Sequence, residues 1–199
     1  MKFQRGISMI EVVVTIAIMG ILMAAAMPSV GDWLRNAKVR NTAESIQNGL
    51  QRARMEAVRL NKPMSFYLVS DLTSGCVLSA SSGTWVVSAV SPVGHCDALP
   101  SATVSPMIVA KATVADGGGA GTVAATTGTT NATTVTFNGL GQITTASAGT
   151  AIRIVNVSNA DSPYKRRVEI SLGGMGRLCD PDLAINTGDS RACNNALVN

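Results

Sequence analysis

The chain has 199 residues, 46% of them hydrophobic and only 14% charged. That excludes a disordered polyelectrolyte and leaves room for one domain once about thirty apolar N-terminal residues are set aside. The net charge of +4 is unevenly placed: Ser29 to Lys62 holds seven basic residues against three acids, while Pro63 to Asn199 holds seven against eight. The larger C-terminal part is therefore net −1, which argues against a generic polycation for nucleic acid.

In chain order, a short basic leader, Met1 to Gly6, comes first. Ile7-Ser8-Met9-Ile10-Glu11 follows, then the apolar run Val12 to Met27, with no charge after Glu11 until Asp32. A carboxylate near a bilayer core costs about 2.5–3.5 kcal/mol, so Glu11 needs a partner. Cleavage between Gly6 and Ile7 creates an α-amino group four residues before Glu11. In an assembly, one subunit's Glu11 can then neutralise the amine of its neighbour. An ordinary secretory signal cut after Ala24-Ala25-Ala26 leaves Glu11 unexplained. Val12 to Met27 is only 16 residues, but Ile7 to Val30 is 24, enough to span a bilayer with Glu11 paired or at the interface. Lys2 and Arg5 predict a cytoplasmic N-terminus, with everything beyond residue 30 outside the cytoplasm.

This order of features resembles the N-terminal signal of type IV pilins and type II secretion pseudopilins. The resemblance implies that a prepilin peptidase cuts after Gly6 and methylates the new N-terminus at Ile7. It also implies that Glu11, fifth in the mature chain, serves assembly with other pilins or pseudopilins. The helix over 7–28 would sit in the inner membrane with the head in the periplasm. Pro28 falls where many members of that family carry a helix-kinking proline.

Residues 29–62 read as a helix continuing the membrane segment. Ile46, Leu50, Ala53, Ala57 and Leu60 form one stripe at helical spacing, with Met55 and Val58 expected to broaden it. Asn61-Lys62-Pro63 ends it. Its arginines read as a solvated or headgroup-facing surface, or as subunit contacts.

Beyond Pro63 the pattern predicts a β-rich head over 63–199. The candidate strands are Met64 to Val69, Cys76 to Ala80, Thr84 to Val90, Met107 to Val114, Thr133 to Asn138, Gln142 to Thr145, Ala151 to Val157 and Tyr164 to Leu172. Gly139-Leu140-Gly141 and Asn159 to Pro163 are predicted turns. Ala115 to Thr134, rich in Gly, Ala and Thr, reads as a flexible loop or a poorly ordered hairpin. No Gly-Lys-Ser/Thr follows its glycines, so it is not a phosphate cradle. The expected fold is α+β: a long transmembrane-plus-amphipathic N-terminal helix packed on an antiparallel β-sheet head.

Four cysteines, Cys76, Cys96, Cys179 and Cys193, form an even set beyond the anchor, which reads as two disulfides in an oxidising compartment. Three pairings are open, and the spacing favours Cys76–Cys96 and Cys179–Cys193, each closing a local loop. No Cys-x-x-Cys pair supports zinc. The single histidine, His95, lies in a loop beside Cys96, and no nucleophile motif accompanies it. Asp180 and Asp182 flank Pro181 and read as turn formers rather than acid–base or calcium groups. No catalytic residue, cofactor or metal is expected.

Phe137 to Gln142 resembles the Phe-x-x-x-Gly turn of the GspH/FimT family of minor pilins and pseudopilins, and Ile170 to Cys179 resembles its last strand and Gly-Arg signature. Arg191-Ala192-Cys193 after Cys179 resembles FimU-like members, whose C-terminal loop is closed by a disulfide. The resemblance implies a minor pilin that helps initiate or cap a type IV pilus. A GspH-like pseudopilin of type II secretion is the alternative. A third possibility is a FimT-like DNA-binding subunit for natural transformation, which would use Lys165, Arg167 and Arg177. Cys179 stands where the DNA-binding members carry a second arginine. Strand alternation also sends Arg166 away from Lys165 and Arg167, so DNA ranks below a structural role.

Overall fold

The computed structural model describes residues 7–117, 121–144, 149–183 and 188–194. Helix α1, Met9–Leu60, is capped by Ser8, whose extended backbone lets its hydroxyl accept from the Glu11 N–H at 3.2 Å. Its C-cap, Asn61, is left-handed at φ 47° and donates to the carbonyls of Ala57 and Val58, closing the helix just before Pro63. The axis bends by 41° between Met9–Ala24 and Ser29–Leu60. Pro28 lies in that break and cannot donate a backbone hydrogen bond to the preceding turn.

Among the described residues, eight strands form two antiparallel sheets of four. The first has the order β3 (Ile108–Ala112), β2 (Trp85–Ser88), β1 (Met64–Leu68), β5 (Thr134–Phe137). The second runs β4 (Thr122–Thr126), β6 (Ile154–Asn159), β7 (Ser162–Ile170), β8 (Gly176–Cys179). The expected α+β fold is present, with the sheet divided in two. The segment entering β6 stitches the halves: Ile152 N–H donates to Thr134 O at 3.0 Å, and Arg153 N–H to Thr126 O at 2.8 Å.

Both sheets pack on one stripe of α1. Val39, Ala43, Ile46, Leu50, Ala53 and Ala57 are buried, at intervals alternating between four and three residues. Opposite them lie Met64, Phe66 and Leu68 of β1, Val155 and Val157 of β6, and Val168 and Ile170 of β7. Met55 and Val58, expected to broaden the stripe, are instead 58% and 52% exposed. Met55 stands about 200° round the helix from Ala53, so it cannot share that face.

β1 is buried on both sides. Its even-numbered residues face the helix, while Tyr67 joins Val69, Val86, Ile108 and the Cys76–Cys96 pair in a second small core. Cys76 to Ala80 is not the expected strand; a lone bridge, Val69 to Leu78, is its only pairing. Cys76 enters the small outer core, while Ala80 packs on the main core and its carbonyl accepts the Ala125 N–H at 2.9 Å, so the segment crosses between layers and does not follow one sheet edge. The other expected strands are present with ends shifted by one to three residues, except Gln142 to Thr145, of which Ile143 bridges Phe137. The expected loop over 115–134 is largely ordered in its described part. It holds a 3-10 turn at Val114–Gly117 and then β4, with Val123 and Ala125 buried. Its small residues permit close packing: a Cβ on Gly121 would lie 2.9 Å from Val157 Cγ1. Residues 118–120 of that loop lie outside the described set.

Glycines set two further close approaches. At Gly49 the Phe66 and Trp85 rings, 5.8 Å apart, sit directly on the helix backbone; an added Cβ would meet them at 2.7 and 2.8 Å. Trp85 Nε1 donates to Ser45 Oγ at 3.0 Å one turn earlier. At the other end of the head, the predicted Gly139–Gly141 turn wedges between Asn61 and Gly174. Cβ atoms on Gly139 and Gly174 would overlap Asn61 Oδ1 and the Gly141 carbonyl respectively, and Gly174 has φ +78°.

Two substitutions test this packing by chemical denaturation. Gly174→Ala adds both a left-handed penalty and a backbone overlap, and is expected to cost about 2–4 kcal/mol. In Gly49→Ala a helix-propensity gain of about 1 kcal/mol opposes an overpacking cost of about 1–3 kcal/mol, so net destabilisation is expected. A stabilised Gly49→Ala would mean that the ring pair is free to move.

Candidate assembly site and the C-terminal face

Among the described residues, nothing packs on the N-terminal limb of α1. Ile7, Ile10, Ile16, Ile21 and Leu22 are each at least 64% exposed, and Glu11 is exposed among them. A single apolar helix surface of this size is unfavourable in water at about 25 cal/mol per Å². No single helix among the described residues is long and apolar enough to cross a membrane, but the two bent limbs together pass by length and composition. The sequence-predicted residue Gly6 lies outside the described residues. Ile7 precedes the Ser8 cap, which fixes the first turn, and Glu11 sits in that turn at the N-terminal end of the helix dipole.

On the side of the second sheet turned away from α1, the predicted basic residues share one face. Arg167 is opposite Cys179 and Glu169 opposite Arg177 across the β7–β8 pair. The described residues 179–183 and 188–193 lie against this face, joined by the Cys179–Cys193 disulfide. Each cation has protein partners there. Lys165 Nζ reaches Asp182 at 3.2 Å; Arg167 Nε donates to Asn156 Oδ1 at 2.7 Å; Arg177 donates to the Ala192 carbonyl. Beneath them Glu169 is fully buried, accepting the Asn194 N–H at 3.0 Å with Arg167 at 3.8 Å. Glu169 lies beside the sulfurs of Cys179 and Cys193, but those are spent in the disulfide and cannot act as thiolate ligands.

Arg166 projects to the helix side, as alternation requires. It pairs with Asp180 at 2.6 Å and stacks on the Tyr164 ring at 4.4 Å. Asp180 also accepts the Asp182 N–H at 3.1 Å, so this acid shapes a turn. Asp189, bonded by the Arg191 side chain and backbone N–H, has its carboxyl held down to about 2. The other disulfide, Cys76–Cys96, closes the loop over the first sheet, and His95 sits in that loop donating its backbone N–H to Pro92 O. The burial of Glu169 was not foreseen. Its signal is the tripeptide Val168-Glu169-Ile170, an acid inside an apolar strand.

Comparison with known proteins gave two family matches. A model described as type II transport protein GspH covers residues 42–174, and the prokaryotic N-terminal methylation motif covers residues 1–27. No curated protein matched the chain. Among solved structures, the type IV minor pilin FimU of Pseudomonas aeruginosa (strain PAO1) is similar at 20% identity. The match covers 71% of this chain and 87% of that one at a TM-score of 0.42.

The occupied state of Lys165, Arg167 and Arg177 sets an expectation for duplex DNA. In a mobility-shift series, the head from Ser29 onward should show no submicromolar binding at physiological salt, where few phosphate contacts are left to make. Arg177→Ala should loosen the C-terminal loop, raising hydrogen exchange at Asn194, without changing DNA retention. Tight binding abolished by Arg177→Ala would reverse the assignment.

The Asp189 pair gives a pH test. Its depressed folded value means that its stabilising effect is complete above the ordinary 3.8 and is lost as pH falls towards about 2. An NMR titration should place the midpoint at about 2, and Arg191→Ala should return it towards the ordinary carboxylate range.

Proposed function

Because this chain belongs to the GspH family, in the pilin and pseudopilin class, and opens with the N-terminal methylation motif, we propose that it is a minor subunit of a type IV pilus that helps initiate or cap filament assembly. Residues 1–6 are the leader removed by a prepilin peptidase. Residues 7–28 are the inner-membrane anchor, 29–62 the helix of the head, and 63–199 the periplasmic remainder. Ile7 is the methylated N-terminus and Glu11 the assembly carboxylate. The observation that carries the reading is the unpartnered apolar limb of α1, continuous with the helix that forms the core of the head. A limb with no partner of its own is suited first to lipid and then to the same limb of neighbouring subunits.

The mechanism follows from charge and polarity. In the membrane, the apolar side chains from Val12 to Met27 are solvated by lipid tails, and Glu11 sits at the cytoplasmic edge. Transfer into a filament exchanges lipid contacts for helix contacts at little hydrophobic cost, since lipid tails are as apolar as leucine. What then directs the exchange is electrostatic: the carboxylate of one subunit meets the α-amino group of another where water is scarce and the attraction is strong. The role is structural and calls for no catalytic group.

A pseudopilin of a type II secretion system is the second reading, favoured by the description of the matching family as a type II transport protein. The same residues would do the same chemistry in a different machine. Loss of surface pili in a deletion strain supports the first reading, and loss of a secreted enzyme with pili intact supports the second.

Processing and assembly can be separated by two variants. Gly6→Val should retain the leader, seen by mass spectrometry of the membrane-extracted protein. A mature N-terminus after Ala24 to Ala26 would instead mark an ordinary signal peptide. Glu11→Ala should be cleaved and remain in the membrane, yet be depleted about ten-fold or more from sheared filaments, since leaving a charge unpaired in an apolar setting costs about 3–5 kcal/mol. Undiminished recovery would remove Glu11 from the assembly step.

A further inference from the structure

Where α1 leaves its apolar limb, the chain carries Trp33 and Leu34, 69% and 50% exposed, followed by Arg35, Lys38 and Arg40. The other tryptophan, Trp85, is only 7% exposed and is used in the core. A large aromatic left in the open on a helix that otherwise buries its apolar stripe calls for an environment outside the head. We propose that Trp33, with Leu34 beside it, is a bilayer-interface seat that fixes how deeply the subunit stands in the membrane, and that its partner is the carbonyl and phosphate layer of the outer phospholipid leaflet. This inference rests on the anchoring proposed above and names which residues end the anchored segment.

Helix geometry places the seat. From Val12, just past Glu11, to Val30 is 19 residues, or about 28 Å at 1.5 Å per residue, close to the hydrocarbon thickness of about 30 Å. With Glu11 at the cytoplasmic edge, Val30 reaches the opposite edge. Trp33 lies three residues further, about 4.5 Å along the axis, and less along the bilayer normal because the limb is bent by 41°. The polar layer on each side is about 5–7 Å deep, so the indole falls inside it. There an amphipathic ring with one N–H donor is at its most stable.

The surrounding groups agree with that depth. Arg35 is paired with Asp32 at 2.5 Å, which reduces the charge of the acid nearest the bilayer. Lys38 and Arg40 sit one to two turns further out, from where long stems reach back to lipid phosphates. Arg40 also has Glu44 at 3.6 Å on its outer side. The β6–β7 turn reaches the helix near this level: Ser162 Oγ donates to Asn36 Oδ1 at 2.6 Å. Its one acid, Asp161, is exposed beside Ala160. The head therefore begins directly above the seat, with polar groups rather than core facing the surface.

The test uses the full chain in vesicles of phosphatidylethanolamine and phosphatidylglycerol. Flotation reports anchoring independently of the seat. Trp33 emission is taken as the difference between wild type and Trp33→Phe, which leaves the core Trp85 untouched. The expected result is flotation of both proteins, with the Trp33 difference signal quenched roughly two-fold more by lipids brominated near the carbonyl than by lipids brominated near the chain end, and shielded from aqueous iodide. Flotation with a Trp33 signal open to iodide and insensitive to either bromolipid overturns the seat while leaving the anchor standing. Flotation with a signal shielded from iodide but insensitive to both bromolipids also overturns it, and assigns Trp33 to a protein contact. Failure of both proteins to float overturns the anchor and the seat together.

Discussion

The stripe of α1 from Val39 to Ala57 is the one surface that both sheets share. Each sheet is too small to bury a face alone, and backbone hydrogen bonds link them at scattered points, such as those at Ile152 and Arg153, from Ala132 to Ala125 and from Ile143 to Leu172. Packing on a common helix is what makes two four-stranded sheets one domain. Small residues carry much of that packing. Ala43, Gly49, Ala53 and Ala57 bring the helix backbone close enough for Phe66 and Trp85 to lie against it. The same helix must also be apolar on every side before residue 30. Its two halves therefore obey different rules: one a stripe, the other a complete apolar sleeve.

The second constraint is the glycine corner at the end of the helix. Arg54 Nε donates to the Gly141 carbonyl at 2.9 Å, Asn61 crowds Gly139, and Gly174 closes on the other side of Gly141. Three segments far apart in sequence thus meet backbone to backbone. This gives the Phe137-x-x-x-Gly141 turn a physical meaning: Phe137 is buried in the core while the glycines let the turn pass between helix and β7–β8 connection.

The helix and most strands are legible because their apolar periods are clean: Ile46 to Leu60 repeats at helical spacing, and Met64, Phe66 and Leu68 recur at every second residue. Spacing left three disulfide pairings open and favoured Cys76–Cys96 and Cys179–Cys193, the pairs in the structure. Other features were hidden for identifiable reasons. The β4 segment reads as a flexible loop or a poorly ordered hairpin because Thr, Ala and Gly carry little hydrophobic signal, although Val123 and Ala125 are wholly covered. Division into two sheets depends on where Ile152 and Arg153 cross, which local pattern does not encode. Lys165, Arg167 and Arg177 could be placed on strands, but their partners at Asp182, Asn156 and Ala192 lie across the sheet or in the folded-back loop. Arg166, by contrast, went where strand alternation sent it. Met55 and Val58 were assigned to the stripe on hydrophobicity, against an angle that already excluded Met55.

The two disulfides close loops on the sheet faces turned away from α1, and neither bridges a sheet to the helix. This has a mechanical meaning for a subunit held by one end. Tension entering along the N-terminal limb passes into the head only through the apolar stripe and a few polar clasps, such as Ser162 to Asn36, Ser45 to Trp85 and Arg54 to Gly141. The covalent crosslinks stand outside that load path. Under pull the head would yield by shear between helix and sheets, while each sheet kept its lid and its own shape.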